Sequence, residues 1–200
     1  MKPKLIVLFL ALSFGAYQGG TGNPELAFSK SYSFEYDTQY SKAIAVLLES
    51  NMNTYEVNLR LGWLYYQSKD YTKSETYYKK AIALEASSIE ARFGVVLPMS
   101  AMGNWDNVLA TYQEILKIDA NNSIANYRIA SIYYSRKDYA TATTYIAKVI
   151  RMYPFDYDSN LLYGKILSAQ NKKEEARTYL TKALEYNPQS EDVKAELKKL

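Results

Sequence analysis

The chemistry open to this chain is narrow, because its 200 residues include neither His nor Cys. That removes Ser–His and Cys–His nucleophile pairs and the usual zinc ligand sets. What remains is mostly carboxylate. Asp156-Tyr157-Asp158-Ser159-Asn160 opens like a calcium loop. The sixth position of such a loop needs Gly and is Leu161; the twelfth needs Glu and is Leu167. Asp156 is therefore read as a helix N-cap, with Asp158 in the first turn beside the positive end of the helix. Glu174 and Glu175 fall at a helix start and read as solvated. No carboxylate pair is singled out by its surroundings as an acid–base couple. The glycines at 19, 20 and 22 lie outside any strand–helix context and do not form a phosphate loop. Asn121-Asn122-Ser123 has the spacing of a glycosylation acceptor, a three-residue match that arises easily by chance. The chain is expected to be non-enzymatic and to need no cofactor.

Charge and composition narrow the class of partner. The formal net charge is +3, with Lys2 and Lys4 in the leader; without them 22 basic residues face 21 acidic ones. Such a balance lacks the basic footprint of a nucleic-acid binder. The chain is rich in Tyr, with 21 of them, and 48% of its residues are hydrophobic, enough for a core.

Residues 1–15 read as a secretory signal peptide. A short basic start precedes "LIVLFLALSF" (Leu5–Phe14), and Ser13-Phe14-Gly15 offers small-x-small cleavage, with 15–20 as the window. The apolar run is too short to span a bilayer as an anchor. No Cys follows it, which excludes a lipoprotein. The mature chain is expected to be exported to a bacterial periplasm or secreted, without membrane insertion and without disulfides.

The elements that carry the remaining residues come from a repeat. "KDYTKSETYYKKAI" and "KDYATATTYIAKVI" stand 68 residues apart, twice a period of 34. Units beginning at Tyr55, Ile89, Ser123 and Tyr157 align without insertion. Position 8 reads Gly62, Val96, Ala130 and Gly164; position 20 reads Ser74, Val108, Ala142 and Ala176. Position 24 reads Tyr78, Tyr112, Ile146 and Leu180, and position 32 reads Ala86, Ala120, Pro154 and Pro188. Apolar residues recur at three- and four-residue spacing over roughly positions 2–14 and 15–30, which predicts two helices per unit. Small residues at 8 and 20 let the two helices approach. Bulky residues at 11, 17 and 24 fill the space between units. No unit can bury its apolar face alone, so the units stack.

The period and these positions resemble the tetratricopeptide repeat family, clearest in "LRLGWLYY" (Leu59–Tyr66) and in Tyr163–Pro188. The second unit departs from it: Val96 and Val108 replace small residues, and Pro98 sits inside a helix. Pro98 leaves the Gly94 carbonyl without its amide partner, which predicts a kink or a widened turn. The resemblance implies an all-α, right-handed superhelical solenoid of antiparallel helix pairs. Its expected parts are a shortened pair over 24–54, repeats over 55–88, 89–122, 123–156 and 157–188, and a capping helix over 189–200. Asn23 and Ser190 read as N-caps, and Pro24 as the first helical residue.

The resemblance also implies a concave groove lined by the first helix of each unit. At the family's ligand-facing positions stand Leu59, Trp63 and Tyr66, then Phe93 and Leu97, then Tyr127, Ser131 and Tyr134, and finally Lys165. Only Lys165 fits the family's grip on carboxylate tails, so that activity is not implied. The expected partner is another protein or peptide held by amphipathic aromatics. Some of these rings could instead pack between helices. Two other readings stay open: a glycan binder that stacks sugars on the same rings, and a self-associating structural protein.

Overall fold

A computed structural model describes residues 23–200, and the leader reading falls outside them. The described chain is eleven helices without a strand. They are α1 (Pro24–Tyr36), α2 (Tyr40–Glu49), α3 (Tyr55–Gln67), α4 (Tyr71–Leu84), α5 (Ile89–Ala101) and α6 (Trp105–Ile118). The remainder are α7 (Ser123–Ser135), α8 (Tyr139–Met152), α9 (Tyr157–Ala169), α10 (Lys173–Tyr186) and α11 (Glu191–Leu197). Odd and even helices pair, consecutive pairs stack, and α11 covers the last pair. The fold is an all-α solenoid.

Local chemistry sets the helix starts. Every odd-numbered helix is capped by an Asn, Thr, Ser or Asp side chain that accepts a backbone N–H in its first turn. Asp156 accepts from Ser159 N at 2.8 Å, and Ser190 from Val193 N at 3.2 Å. A second device holds each start to the turn before it. Asn58, Asn126 and Asn160 are buried at the same position of α3, α7 and α9. Their side-chain amides donate to the carbonyls of Thr54, Asn122 and Asp156 at 2.7, 2.9 and 2.7 Å. Arg92 does the same in α5, donating to the Ser88 carbonyl at 2.9 Å.

The turns inside the pairs are left-handed at one residue. Lys69, Gly103, Lys137 and Asn171 have φ of 65, 75, 63 and 62°, and Thr38 has 59° in the first pair. This turn delays the second helix to position 17, two residues later than its periodicity suggests, because positions 14–16 are spent reversing the chain.

The core is continuous across neighbours. One cluster runs from Tyr78 of α4 through Val95, Val108, Tyr112 and Ile115 to Ile129 of α7. Others join α1–α3, α7–α9 and α10–α11. Each fully buried Leu or Ile contributes about 1.5–3 kcal/mol. Position 24 is core as expected: Tyr78, Ile146 and Leu180 are all but inaccessible. Position 17 is corrected. Trp105 is 53% exposed, and Tyr71 and Tyr139 are half-buried, resting against Tyr66 and Tyr134 at 5.8 Å in each case. Helix α5 continues through Pro98 as α-helix, so the expected widened turn is not present. Pro98 lies near the C-terminal end of the helix, so the ladder loses little to the missing N–H, and the residue is buried.

Candidate functional site

The odd-numbered helices carry the residues singled out for the groove. Leu59, Trp63, Tyr66, Phe93, Leu97, Tyr127, Ser131, Tyr134 and Lys165 are all half-buried. None is free of the fold. Leu59, Trp63 and Phe93 pack on the central core, and Tyr127 and Tyr134 on the next one. The Ser131 hydroxyl donates to the Tyr127 carbonyl at 3.0 Å. Lys165 takes part in none of the ion pairs among the described residues.

Aromatic contacts group these residues. Trp63 and Tyr66 have ring centroids 6.1 Å apart, and Tyr66 continues to Tyr71. Phe93 meets Tyr112 at 6.2 Å. Tyr134 pairs with Tyr139 in the geometry that Tyr66 has with Tyr71. The same arrangement thus recurs two units apart, separated by the Phe93–Tyr112 pair.

Three phenols in this region are pushed toward the protonated form. Burial pushes the Tyr127 hydroxyl upward, and the Asp158 carboxylate adds to the effect. Burial raises Tyr134 as well, with Glu196 contributing. Burial moves Tyr112 up against a smaller opposing pull from Arg128. Each is therefore a neutral donor near neutral pH.

Helix α1 contributes more than its sequence suggested. Glu35 accepts a hydrogen bond from Trp63 Nε1 and forms an ion pair with Arg60. The Arg60 guanidinium also lies 3.8 Å from the Tyr32 ring centroid. Arg60 is 8% exposed, so this pair is largely desolvated. The signal was present: aligning Pro24 with Tyr55 puts Glu35 where α3 has Tyr66, and Tyr32 where it has Trp63. Tyr78, expected in the core, also meets two glycines, a contact the repeat did not suggest. Its ring fills the space left by Gly62 and Gly94, and burial pushes its hydroxyl upward, with Glu90 and Tyr66 adding to the effect.

Chemically, the site offers rings, hydroxyl donors and scattered single charges. No group of His, Cys, Asp and Glu able to hold a metal occurs among the described residues. Nor does any helix among them have the length and apolarity to cross a membrane.

Known proteins resemble this chain at two levels. Models of the tetratricopeptide repeat match residues 55–88 and 133–200. The tetratricopeptide repeat protein 21 homolog of Caenorhabditis elegans is 22% identical over 125 residues, which is 62% of this chain and 9% of that protein. The chain thus spans less than a tenth of that relative's length. Among solved structures, MamA superposes with a TM-score of 0.70 at 19% identity, over 80% of this chain and 90% of that one. A tetratricopeptide repeat protein from Parabacteroides merdae reaches 0.76 at 15% identity, over 86% and 70%. YrrB, a repeat protein with an unusual peptide-binding site, reaches 0.70 at 16% identity, over 87% and 91%. At these identities the structures share a fold. With its helices paired and stacked in this way, and the repeat matched over residues 55–88 and 133–200, the chain belongs to the tetratricopeptide repeat proteins.

Proposed function

We propose that this chain is a non-catalytic scaffold of the bacterial cell envelope, exported by its leader, that binds a peptide or helix of another protein in its groove. The observation that carries this reading is the recurrence of half-buried rings on the odd helices: Trp63 and Tyr66, Phe93, then Tyr127 and Tyr134. Half-buried rings keep one face for a partner and are already held in place by the other, which lowers the entropy cost of binding. Their protonated hydroxyls supply directional donors at the same surface. YrrB has a peptide-binding site on the same fold, which supports the class of ligand.

The experiment is a pull-down from an envelope extract, using the chain and a Tyr66→Ala/Phe93→Ala/Tyr134→Ala variant of matched helicity. Trp63 is left intact because it is bonded to Glu35. A protein captured by the unaltered chain alone supports the groove. Equal capture by both baits moves the binding surface elsewhere. A captured species that resists protease but is lost on glycosidase treatment replaces the protein partner with a glycan.

A further inference from the structure

Six large apolar side chains stand exposed along one edge of the solenoid. They are Leu48, Leu84, Ile118, Tyr153, Phe155 and Tyr186, between 42 and 65% accessible. Each lies at the end of an even-numbered helix or in the turn that follows. Antiparallel pairing puts all of these turns on the same edge. Single exposed apolar residues need no explanation, but a row with one or two in every turn does. The row is partly continuous: Phe155 and Tyr186 from successive turns have rings 6.2 Å apart. At the other end, Leu48 and Leu84 line one notch of about 390 Å³. The notch exists because α2 has 10 residues where α4 has 14, so the last turn of α4 lacks a covering neighbour.

The charges on this edge decide what chemistry it suits. Glu49, Glu85, Asp119 and Glu185 sit at the C-terminal ends of α2, α4, α6 and α10. A helix C-terminus already carries partial negative charge and favours Lys or Arg, so helix electrostatics do not account for acids there. Asp119 has a local use, accepting from Asn121 N and Asn122 Nδ2. Glu49, Glu85 and Glu185 have no ion-pair partner among the described residues. The first turns of the odd helices add Glu56, Glu90, Asp158, Glu191 and Asp192 to the same edge. Lys80, which lines the notch with its ammonium over the Tyr77 ring, Lys117 and Arg151 stand beside them outside any ion pair among the described residues; Arg92 and Lys194 are engaged with Glu114 and Glu191. On the opposite edge, by contrast, Asp70 and Asp106 are paired with Lys73 and Arg136.

We infer that this edge is a second docking surface, separate from the groove, for a basic amphipathic segment of a partner protein. Its Lys or Arg residues would face Glu49, Glu85 and Glu185, and its apolar residues would cover Leu84, Phe155 and Tyr186. Complementarity of this kind speeds encounter and selects the partner, while the apolar row supplies affinity. A second copy of this chain is a poor match, because its opposite edge mixes both signs and several of its charges are paired. An anionic lipid surface would be repelled by the unpaired acids.

The test measures fluorescence anisotropy of a labelled synthetic amphipathic Leu/Lys peptide, with its Leu/Glu counterpart, against the full chain. Three variants, checked for unchanged helicity, accompany it: Glu49→Gln/Glu85→Gln/Glu185→Gln, Leu84→Ser/Phe155→Ser/Tyr186→Ser, and the groove variant Tyr66→Ala/Tyr134→Ala. The proposal expects the Leu/Lys peptide alone to bind, with weakening in salt. It expects about a tenfold loss in each edge variant and none in the groove variant. Binding unchanged by both edge variants overturns it, as does loss confined to the groove variant. So does concentration-dependent growth in mass that the apolar edge variant abolishes, since that assigns the edge to a second copy.

Discussion

Gly94 lies flat against the ring of Tyr78, so closely that a Cβ on Gly94 would fall 2.2 Å from Tyr78 Cε1. The same ring is met nearer its base by Gly62, whose Cβ would lie 2.7 Å from Tyr78 Cγ. Two glycines from successive odd helices thus make room for one tyrosine of α4. Gly94, a weak helix former four residues before Pro98, is there for packing.

Gly94→Ala is accordingly expected to destabilise the chain. Alanine improves helix propensity by about 1 kcal/mol, but its methyl would overlap the Tyr78 ring, which is 3% exposed and already close to Gly62. Overpacking of this sort costs about 1–3 kcal/mol net. Urea unfolding should show a lower midpoint for Gly94→Ala, and most of the loss should disappear when it is combined with Tyr78→Leu. Additive losses in the double variant would mean that the two residues do not compete for the same space.

Gly103 tests the backbone alone. Its φ is +75°, and an added Cβ would meet nothing within 4 Å. Gly103→Ala should cost about 1 kcal/mol through left-handed strain, Gly103→Val more, and Gly103→Asn least. Thermal melts of the three variants should follow that order. The structure already places Lys, Lys and Asn at the equivalent sites 69, 137 and 171, so the turn tolerates a side chain at modest cost.

Glu35 ties α1 to α3 through Trp63 and Arg60. Glu35→Ala leaves Arg60, 8% exposed, without its counter-charge. Removing one partner of a buried pair costs about 3–5 kcal/mol, less where the lost carboxylate is partly hydrated, as Glu35 is at 23%. The expected readout is local: faster amide exchange across α1 and α2, with α9–α11 unchanged. Uniform exchange along the chain would show that α1 is not a separate unit.

The tyrosines predict an alkaline limit. Burial, followed by the nearby Glu90 and Tyr66 groups, pushes the Tyr78 hydroxyl far above its ordinary value of 10.0. Burial also raises Tyr112. In the unfolded chain both ionise near pH 10, while the folded chain holds their protons. Their contribution is therefore complete below pH 10 and is lost as pH rises above it, by about 1.4 kcal/mol per unit for Tyr78, with Tyr112 adding in the same direction. Stability should be flat in this respect up to about pH 9 and fall beyond pH 10. Ultraviolet titration should show part of the phenol absorbance appearing only with loss of helicity. Tyr78→Phe should reduce the slope.

Asn160 is the last test. Its amide donates to the carbonyls of Asp156 and Pro154, fastening α9 to the preceding turn. Asn160→Leu removes both bonds, while the Asp156 carbonyl keeps the Asn160 backbone N–H, and should cost about 0.5–1.5 kcal/mol in urea unfolding. No loss of stability would mean that water or relaxation replaces both bonds.

Much of this architecture is readable from the order of residues alone. A period of 34 and apolar spacing of three and four residues specify paired helices, because helix geometry is local. The caps at Asn23, Asp156 and Ser190 are legible for the same reason, since each bond spans three residues. The nine residues proposed for the groove come from the family's register, and all nine are half-buried.

Other features depend on residues far apart in the chain. That Glu35 would accept from Trp63, 28 residues on, required the stacking of α1 on α3. That Trp105 would stand exposed while Tyr71 and Tyr139 lean on their neighbours depended on ring partners supplied by position 12, which is Ser100 in the second unit. The apolar, acidic edge is scattered over five turns in the sequence and becomes one surface when the pairs align. The sequence by itself determined the helices, their pairing and their caps, because those rest on interactions within a few residues. Tertiary structure alone decided which side chains meet and which remain open, because burial depends on neighbours that only the assembled stack brings together.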